Sequence, residues 1–169
     1  MPGRQAKALT ADDVEALLSY ASAGRHTHRD RVIVLLSVKA GVRAGEITNL
    51  DWDMVVMPGG DIAALIELHD KAAKKGSGRR IPVHPALHDA LISLRRHSLS
   101  DGPVVQSEPG GRMHAISIVT WFARAYQTLG LHGCSSHSVV ARSSPRQREQ
   151  CLKPVARCAT CSYWPATNP

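Results

Sequence analysis

The first third of the chain has apolar residues at helical spacing. In "LTADDVEALLSYAS" three apolar positions share one helical face, and Thr10 and Asp13 have the spacing of a capping box. The next segment, "HRDRVIVLLSVKAG", has an uninterrupted apolar block over residues 32–38 and ends at Gly41, which predicts a buried central helix. A short helix is expected over residues 43–50.

The pattern changes to shorter runs between residues 54 and 83. "MVVM", "IAALIEL" and "RRIPV" are β-prone and are separated by the turn-forming stretches "PGGD" and "HDKAAKKGSG". Helical spacing returns over residues 84–97, with Pro85 near the first turn, and over residues 116–130. The chain is therefore predicted to be an α+β domain, mostly helical, with a small three-stranded antiparallel sheet.

Composition and charge narrow the classes of partner. The chain has 169 residues, a formal net charge of +7 and a pI near 9.6, so its field favours polyanions, with nucleic acid ahead of an acidic membrane. No apolar run approaches the roughly 20 residues of a membrane span, and the N-terminus lacks a signal-peptide core. We expect a cytoplasmic protein with no membrane partner, whose cysteines are reduced thiols.

The character of the chain changes after Ser138. The last 31 residues hold four of the ten prolines and five basic residues against one acidic residue, with no sustained periodicity. This predicts a division into residues 1–138 and a disordered basic tail, residues 139–169. Cys158 and Cys161 in that tail have C-x-x-C spacing, but a structural zinc site needs four ligands and no second pair follows, so no metal is expected.

The segment "KAGVRAGEITNLDW" carries the first candidate chemistry. A turn of small residues presents Arg43 at a helix start, and Glu46 follows three residues later. A surface arginine with an i, i+3 salt bridge is one interpretation. The other is a phosphate site, because a guanidinium fork can stabilise charge on the non-bridging oxygens of a phosphodiester.

This segment resembles the first active-site box of the tyrosine recombinase (phage integrase) family. Arg43 matches the family's arginine, and Glu46 matches the supporting acid that follows it. The resemblance implies the catalytic-domain fold of that family. It also implies DNA integration and recombination for a mobile element, by cleavage and rejoining of strands through a phosphotyrosine intermediate.

A second stretch, "KAAKKGSGRRIPVHPAL", resembles the β-hairpin of the same family. Counting back from Pro82 places Lys74 on the family's lysine, with Lys75 as the neighbouring alternative. The resemblance implies that this lysine protonates the leaving 5′ oxygen, a general-acid role. Lys75, Arg79 and Arg80 are then expected to bind DNA. The competing interpretation is a solvated surface turn.

A third stretch, "LGLHGCSSHS", resembles the approach to the family's H-x-x-R box. His137 stands where the family has its histidine, which implies contact with the scissile phosphate and assistance to proton transfer. A histidine in a polar loop without a catalytic role is the competing interpretation. The three boxes occur in the family's order between residues 10 and 138.

The chain departs from the family pattern directly after this point. Val140 stands where the second arginine belongs, and none of the three tyrosines has the context of the nucleophile. We therefore expect no nucleophile and no covalent intermediate. Restoring one base after the codon of Ser138 permits the reading Ser-Gly-Arg-Arg-Thr-Phe-Ile-Thr, which continues the family's box, so a single-base deletion is predicted.

The expected partner is double-stranded DNA, without metal or nucleotide cofactor. Self-association, or pairing with an intact integrase, is a further expectation from the resemblance. Two alternatives remain open. One is a non-enzymatic DNA-binding or decoy protein, and the other is a zinc-binding regulatory protein that uses the tail cysteines.

Overall fold

A computed structural model of the chain describes residues 9–70, 72, 78–98, 101–108 and 110–134. Five α-helices and two β-strands make up the regular structure of these residues. In chain order they are α1 (Ala11–Ala23), α2 (Thr27–Val38), α3 (Ala44–Thr48), a 3₁₀ turn (Trp52–Met54), β1 (Leu65–Leu68), β2 (Arg79–Pro82), α4 (Pro85–His97) and α5 (Ala115–Thr128).

Helix α2 is the centre of the core. Every residue from Val32 to Val38 is buried, as the continuous apolar block predicted. Helices α1 and α4 pack against α2, and α5 packs against α3 and α1. The helices bury a common apolar interior in which Trp52 and Phe122 are the largest side chains, each 1% exposed. Burial of such side chains is the main source of folding free energy.

The predicted capping box at the start of α1 is confirmed. The hydroxyl of Thr10 accepts the backbone N–H of Asp13 at 3.2 Å, and the carboxylate of Asp13 accepts the backbone N–H of Thr10 at 2.8 Å. Both bonds satisfy donors that the first turn of a helix otherwise leaves without partners. Such a cap contributes about 1 kcal/mol.

The sheet is small and antiparallel, as predicted, but it has two strands in the described residues instead of three. Strands β1 and β2 pair with Ile66 opposite Ile81. The expected first strand is reduced to a single bridge between Val56 and Ile62. The reason is local, because the backbone N–H groups of Val55 and Val56 both donate to Trp52 and close the 3₁₀ turn.

Two further expectations concern membrane spans and the C-terminal tail. In the described part of the chain, no helix is both long and apolar enough to cross a membrane. The basic tail, residues 139–169, lies outside the described residues, so the division at Ser138 stays a prediction.

Candidate functional site

The turn after α2 determines where Arg43 emerges. Gly41 adopts a positive φ of +64°, a conformation that glycine reaches without the steric cost of a side chain. The next residue, Val42, is 2% exposed and donates its backbone N–H to the carbonyl of Leu36 at 3.0 Å. Arg43 follows in an extended conformation and directly precedes α3. The apolar anchor at Val42 therefore holds the backbone of Arg43 against the central helix.

Glu46 lies beneath Arg43 with a side chain that is 2% exposed. Its Oε2 accepts the backbone N–H of Arg43 at 3.0 Å, and its Oε1 accepts Nη1 of Arg43 at 3.4 Å. The side chain of Arg43 is 56% exposed. The guanidinium thus contacts the buried carboxylate on its inner side, while its outer part remains accessible to an anion in solution.

The same carboxylate binds a second arginine from the sheet. Nη1 of Arg79 donates to Oε1 of Glu46 at 3.0 Å, and Nη2 donates to Oε2 at 2.9 Å. This fork-on-fork geometry is the strongest arrangement for an arginine–carboxylate pair. The hydrogen bonds to Glu46 raise the pKa of Arg79. Two guanidiniums and one carboxylate leave this cluster with a net positive charge.

The two ends of the β1–β2 connection are tied together next to Arg79. The carboxylate of Asp70 accepts the backbone N–H of Gly78 at 2.6 Å. A Cβ on Gly78 would lie 2.8 Å from both that carboxylate and the carbonyl of Leu68, so a larger residue does not fit without movement. Asp70 was not among the site residues predicted from the sequence. The pattern that could have indicated it is an aspartate just after β1, because aspartate side chains often accept a nearby backbone N–H.

Arg80 differs from its neighbour because successive side chains of a strand point to opposite faces. It is 73% exposed, and its Nε lies 3.0 Å from Glu67, which faces it across the sheet. Exposed pairs of this kind contribute about 0–1 kcal/mol. Arg80 is therefore a surface cation that an external polyanion can reach.

His84 is a second residue that was not predicted from the sequence. Its Nδ1 accepts the backbone N–H of Ala86 at 3.2 Å and so caps α4. Burial, followed by the positive charge of Lys39, lowers the pKa of His84. The neutral imidazole is the form that can accept this bond. A polar residue directly before Pro85 is the local sign of such a cap.

The structure brings together three of the predicted site residues, Arg43, Glu46 and Arg79, and places Arg80 on the adjoining strand. Lys74, Lys75 and His137 lie outside the described residues, and their roles stay predictions. Within the described part of the chain, no cluster of His, Cys, Asp or Glu has the arrangement of a metal site. The two cysteines of the C-x-x-C pair lie beyond that part.

The profile of the phage integrase family matches residues 7–143, most of the chain. The chain belongs to that family, as the three sequence boxes predicted. No curated protein matches the chain at a significant level.

The solved structures that this fold matches include a recombinase and λ integrases. The XerA recombinase superposes with a TM-score of 0.62 at 20% identity, over 78% of this chain and 47% of that one. A λ integrase dimer bound to a COC′ core site gives 0.60 at 20% identity, over 78% and 38%. The λ integrase catalytic core gives 0.61 at 17% identity, over 79% and 78%. The chain therefore spans less than half the length of the first two proteins and most of the catalytic core.

Proposed function

We propose that this chain is a partial catalytic domain of a site-specific DNA recombinase, which binds double-stranded DNA but does not complete strand cleavage. The observation that carries the proposal is the half-exposed guanidinium of Arg43, held from below by the buried carboxylate of Glu46. A guanidinium that contacts a buried carboxylate on one side and is accessible on the other suits a backbone phosphate.

The chemistry assigns a role to each predicted residue. In cleavage of a phosphodiester, negative charge grows on the non-bridging oxygens, and Arg43 stabilises it by aimed hydrogen bonds. Lys74, or its neighbour Lys75, protonates the leaving 5′ oxygen. His137 contacts the same phosphate and assists proton transfer from the nucleophile. Arg80 adds an accessible positive charge on the sheet.

Two further observations support DNA as the partner. The net charge of +7 favours a polyanion. The λ integrase structures that share this fold are a dimer on a core site and a tetramer bound to a Holliday junction. We extend duplex DNA binding and self-association from those proteins to this chain, and pairing with an intact integrase as well. A cytoplasmic location is part of this proposal.

The proposed lack of cleavage rests on the expected lack of a tyrosine nucleophile. Tyr126 is 5% exposed and stacks on Phe122, and burial raises its pKa to about 12. Tyr20 lies edge-on to Trp121, with ring centroids 5.8 Å apart. Both phenols are thus engaged in packing. The family match ends at residue 143, so residues 144–169 of the proposed tail lie outside it.

The binding proposal is tested by fluorescence anisotropy of a labelled duplex titrated with the full chain at several salt concentrations. We expect log K to fall linearly with log salt, by about 0.9 per neutralised phosphate. Arg43→Gln should weaken binding, whereas Arg124→Gln, which removes a charge from the exposed side of α5, should weaken it less. Binding that is absent, or independent of salt, contradicts the proposal.

The cleavage proposal needs a separate experiment. A nicked suicide duplex traps the covalent intermediate of tyrosine recombinases, so a denaturing gel should show no protein–DNA adduct with this chain. An adduct would overturn the proposed inactivity.

The nucleotide sequence from the codon of Ser138 onward tests the single-base deletion. A chain that binds DNA without cutting it would act as a decoy, because it would occupy the sites of an intact integrase. Retention of zinc through dialysis would favour the regulatory alternative.

A further inference from the structure

Arg112 reaches the end of α3 from a distant part of the sequence. Its Nη1 donates to the backbone carbonyl of Thr48 at 2.6 Å, and its Nη2 donates to Oδ1 of Asp51 at 2.6 Å. Helix α3 begins directly after Arg43 and ends at Thr48. We propose that Arg112 is a positioning residue, which fixes the C-terminal end of α3 and so holds Arg43, at the other end, in the geometry that binds phosphate. This inference rests on the proposed function and adds a residue to the same site.

Helix α3 is too short to be stable by itself. It has five residues, which make about 7.5 Å of helix, whereas isolated helices of fewer than about 12–15 residues are marginal in water. Two of its polar residues, Glu46 and Thr48, are only 2% and 6% exposed. The position of α3, and of Arg43 directly before it, is therefore set by contacts from other parts of the chain.

The two ends of α3 are held by different arginines. Arg79 binds the carboxylate of Glu46 in the first turn, whereas Arg112 binds the carbonyl of the last residue, Thr48. The last carbonyls of a helix have no partner within the helix, and a cation there also offsets the negative end of the helix dipole. Because Thr48 is buried, loss of Arg112 would leave this carbonyl with little access to water.

The backbone next to Arg112 fixes the place from which it acts. Arg112 pairs with Gln106 in an antiparallel bridge. Two residues before Gln106, the backbone N–H of Val104 donates to the carbonyl of Leu50 at 2.9 Å. The segment that carries Arg112 is thus joined by backbone hydrogen bonds to the residues that directly follow α3.

The contacts of Arg112 favour positioning over a direct phosphate contact. Both of its terminal nitrogens donate to acceptors within the protein, and these are the atoms that a bidentate phosphate contact requires. The negative charge of Asp51 also offsets the attraction of Arg112 for a polyanion. The side chain of Arg112 is nevertheless 40% exposed, so a direct contact is the alternative that experiments must exclude.

Asp51→Ala gives opposite results under the two roles. The variant removes a negative charge and frees one side of the guanidinium, which should strengthen DNA binding if Arg112 contacts phosphate. If Arg112 positions Arg43, the same variant should weaken binding of the full chain to a labelled duplex by about threefold to tenfold, despite the added positive charge.

Asp53 provides the matched control from the same 3₁₀ turn. Its side chain is exposed, and Asp53→Ala should bind DNA as tightly as the wild type or slightly more tightly. Binding by Asp51→Ala that is as tight as that by Asp53→Ala, or tighter, would overturn the inference.

A double-mutant cycle shows whether Arg112 acts through Arg43. Arg112→Gln should weaken DNA binding by about threefold to tenfold in the wild type but by less than about twofold in Arg43→Gln, because the group that it positions is then absent. A direct phosphate contact, or a general loss of folded protein, would weaken binding by the same factor in both backgrounds. Equal factors would overturn the inference.

Hydrogen exchange without DNA separates failure of the inference from failure of the proposed function. Amides of α3 should exchange faster in Arg112→Gln than in the wild type, while those of α1 stay unchanged. Asp51→Ala should have the same effect with Arg112 intact, so it serves if the first variant does not fold. Unchanged exchange in α3 of the folded variants overturns the positioning role, whether or not the wild type binds DNA.

Discussion

The indole N–H of Trp121 in α5 donates to the buried carboxylate of Asp30 in α2 at 3.1 Å, across 91 residues of sequence. The other carboxylate oxygen accepts Nε and Nη2 of Arg29, both at 2.8 Å. Asp30 is 5% exposed, so its charge is stabilised by these partners and little by water. This contact joins α5 to the central helix at the end remote from Arg43.

Removal of this carboxylate should strongly destabilise the fold. Asp30→Ala leaves a mostly buried guanidinium without its carboxylate partner and a part-buried indole N–H without its acceptor, and we expect a loss of about 3–5 kcal/mol in the free energy of unfolding, measured with urea. Asp89→Ala is the control, because that side chain is 83% exposed and should change stability by at most about 0.5 kcal/mol. Equal effects of the two variants would contradict the assignment.

Trp52 has an indole N–H that is buried and, among the described residues, without a hydrogen-bond partner. Trp52→Phe removes this unsatisfied donor but also some packing, and the two effects oppose each other. We expect a net change below about 1.5 kcal/mol in urea unfolding, against about 3–5 kcal/mol for Trp52→Ala. A phenylalanine variant as unstable as the alanine variant would show that the N–H has a partner.

His84 should make stability depend on pH near neutrality. Its folded pKa lies below the ordinary value of 6.5, so the unfolded chain takes up the proton first as the pH falls. Its contribution is complete above pH 6.5 and is lost as the pH falls through the folded pKa. His84→Asn keeps a capping side chain that does not titrate.

The measurement compares urea unfolding of the wild type and His84→Asn at several pH values between about 5 and 7.5, the range in which histidines titrate. The difference in free energy between the two proteins should change in favour of the asparagine variant as the pH falls. A difference that stays constant over this range would contradict the role of His84. The other histidines are common to both proteins and cancel in the comparison.

Two glycines that flank Arg43 should respond in opposite directions to alanine. Gly41 has a φ of +64°, where an L side chain is strained, so Gly41→Ala should cost about 1–2 kcal/mol. Gly45 is inside α3 with nothing within 4 Å of an added Cβ, so Gly45→Ala should stabilise by about 0.4–1 kcal/mol. Thermal unfolding of the two variants measures both effects. A stabilised Gly41→Ala would contradict the turn geometry that places Arg43.

The features predicted correctly from the sequence depend on residues close together along the chain. The capping box joins Thr10 to Asp13, and the Arg43–Glu46 contact also spans three residues. The burial of α2 follows from its own apolar block, residues 32–38. Helical periodicity and short side-chain to backbone bonds are encoded locally, which is why these features are visible without coordinates.

The features decided by the tertiary structure depend on long-range contacts. The expected first strand is an exception with a local cause, because its N–H groups close a turn at Trp52 and only a single bridge forms. The contacts of Arg79 with Glu46 and of Trp121 with Asp30 join residues 33 and 91 positions apart, so they depend on how the elements pack. A charged or aromatic side chain has many partners of suitable chemistry along the chain. The packing of α2, α3, α5 and the sheet selects one of them, because only that arrangement buries the core and pairs its buried charges.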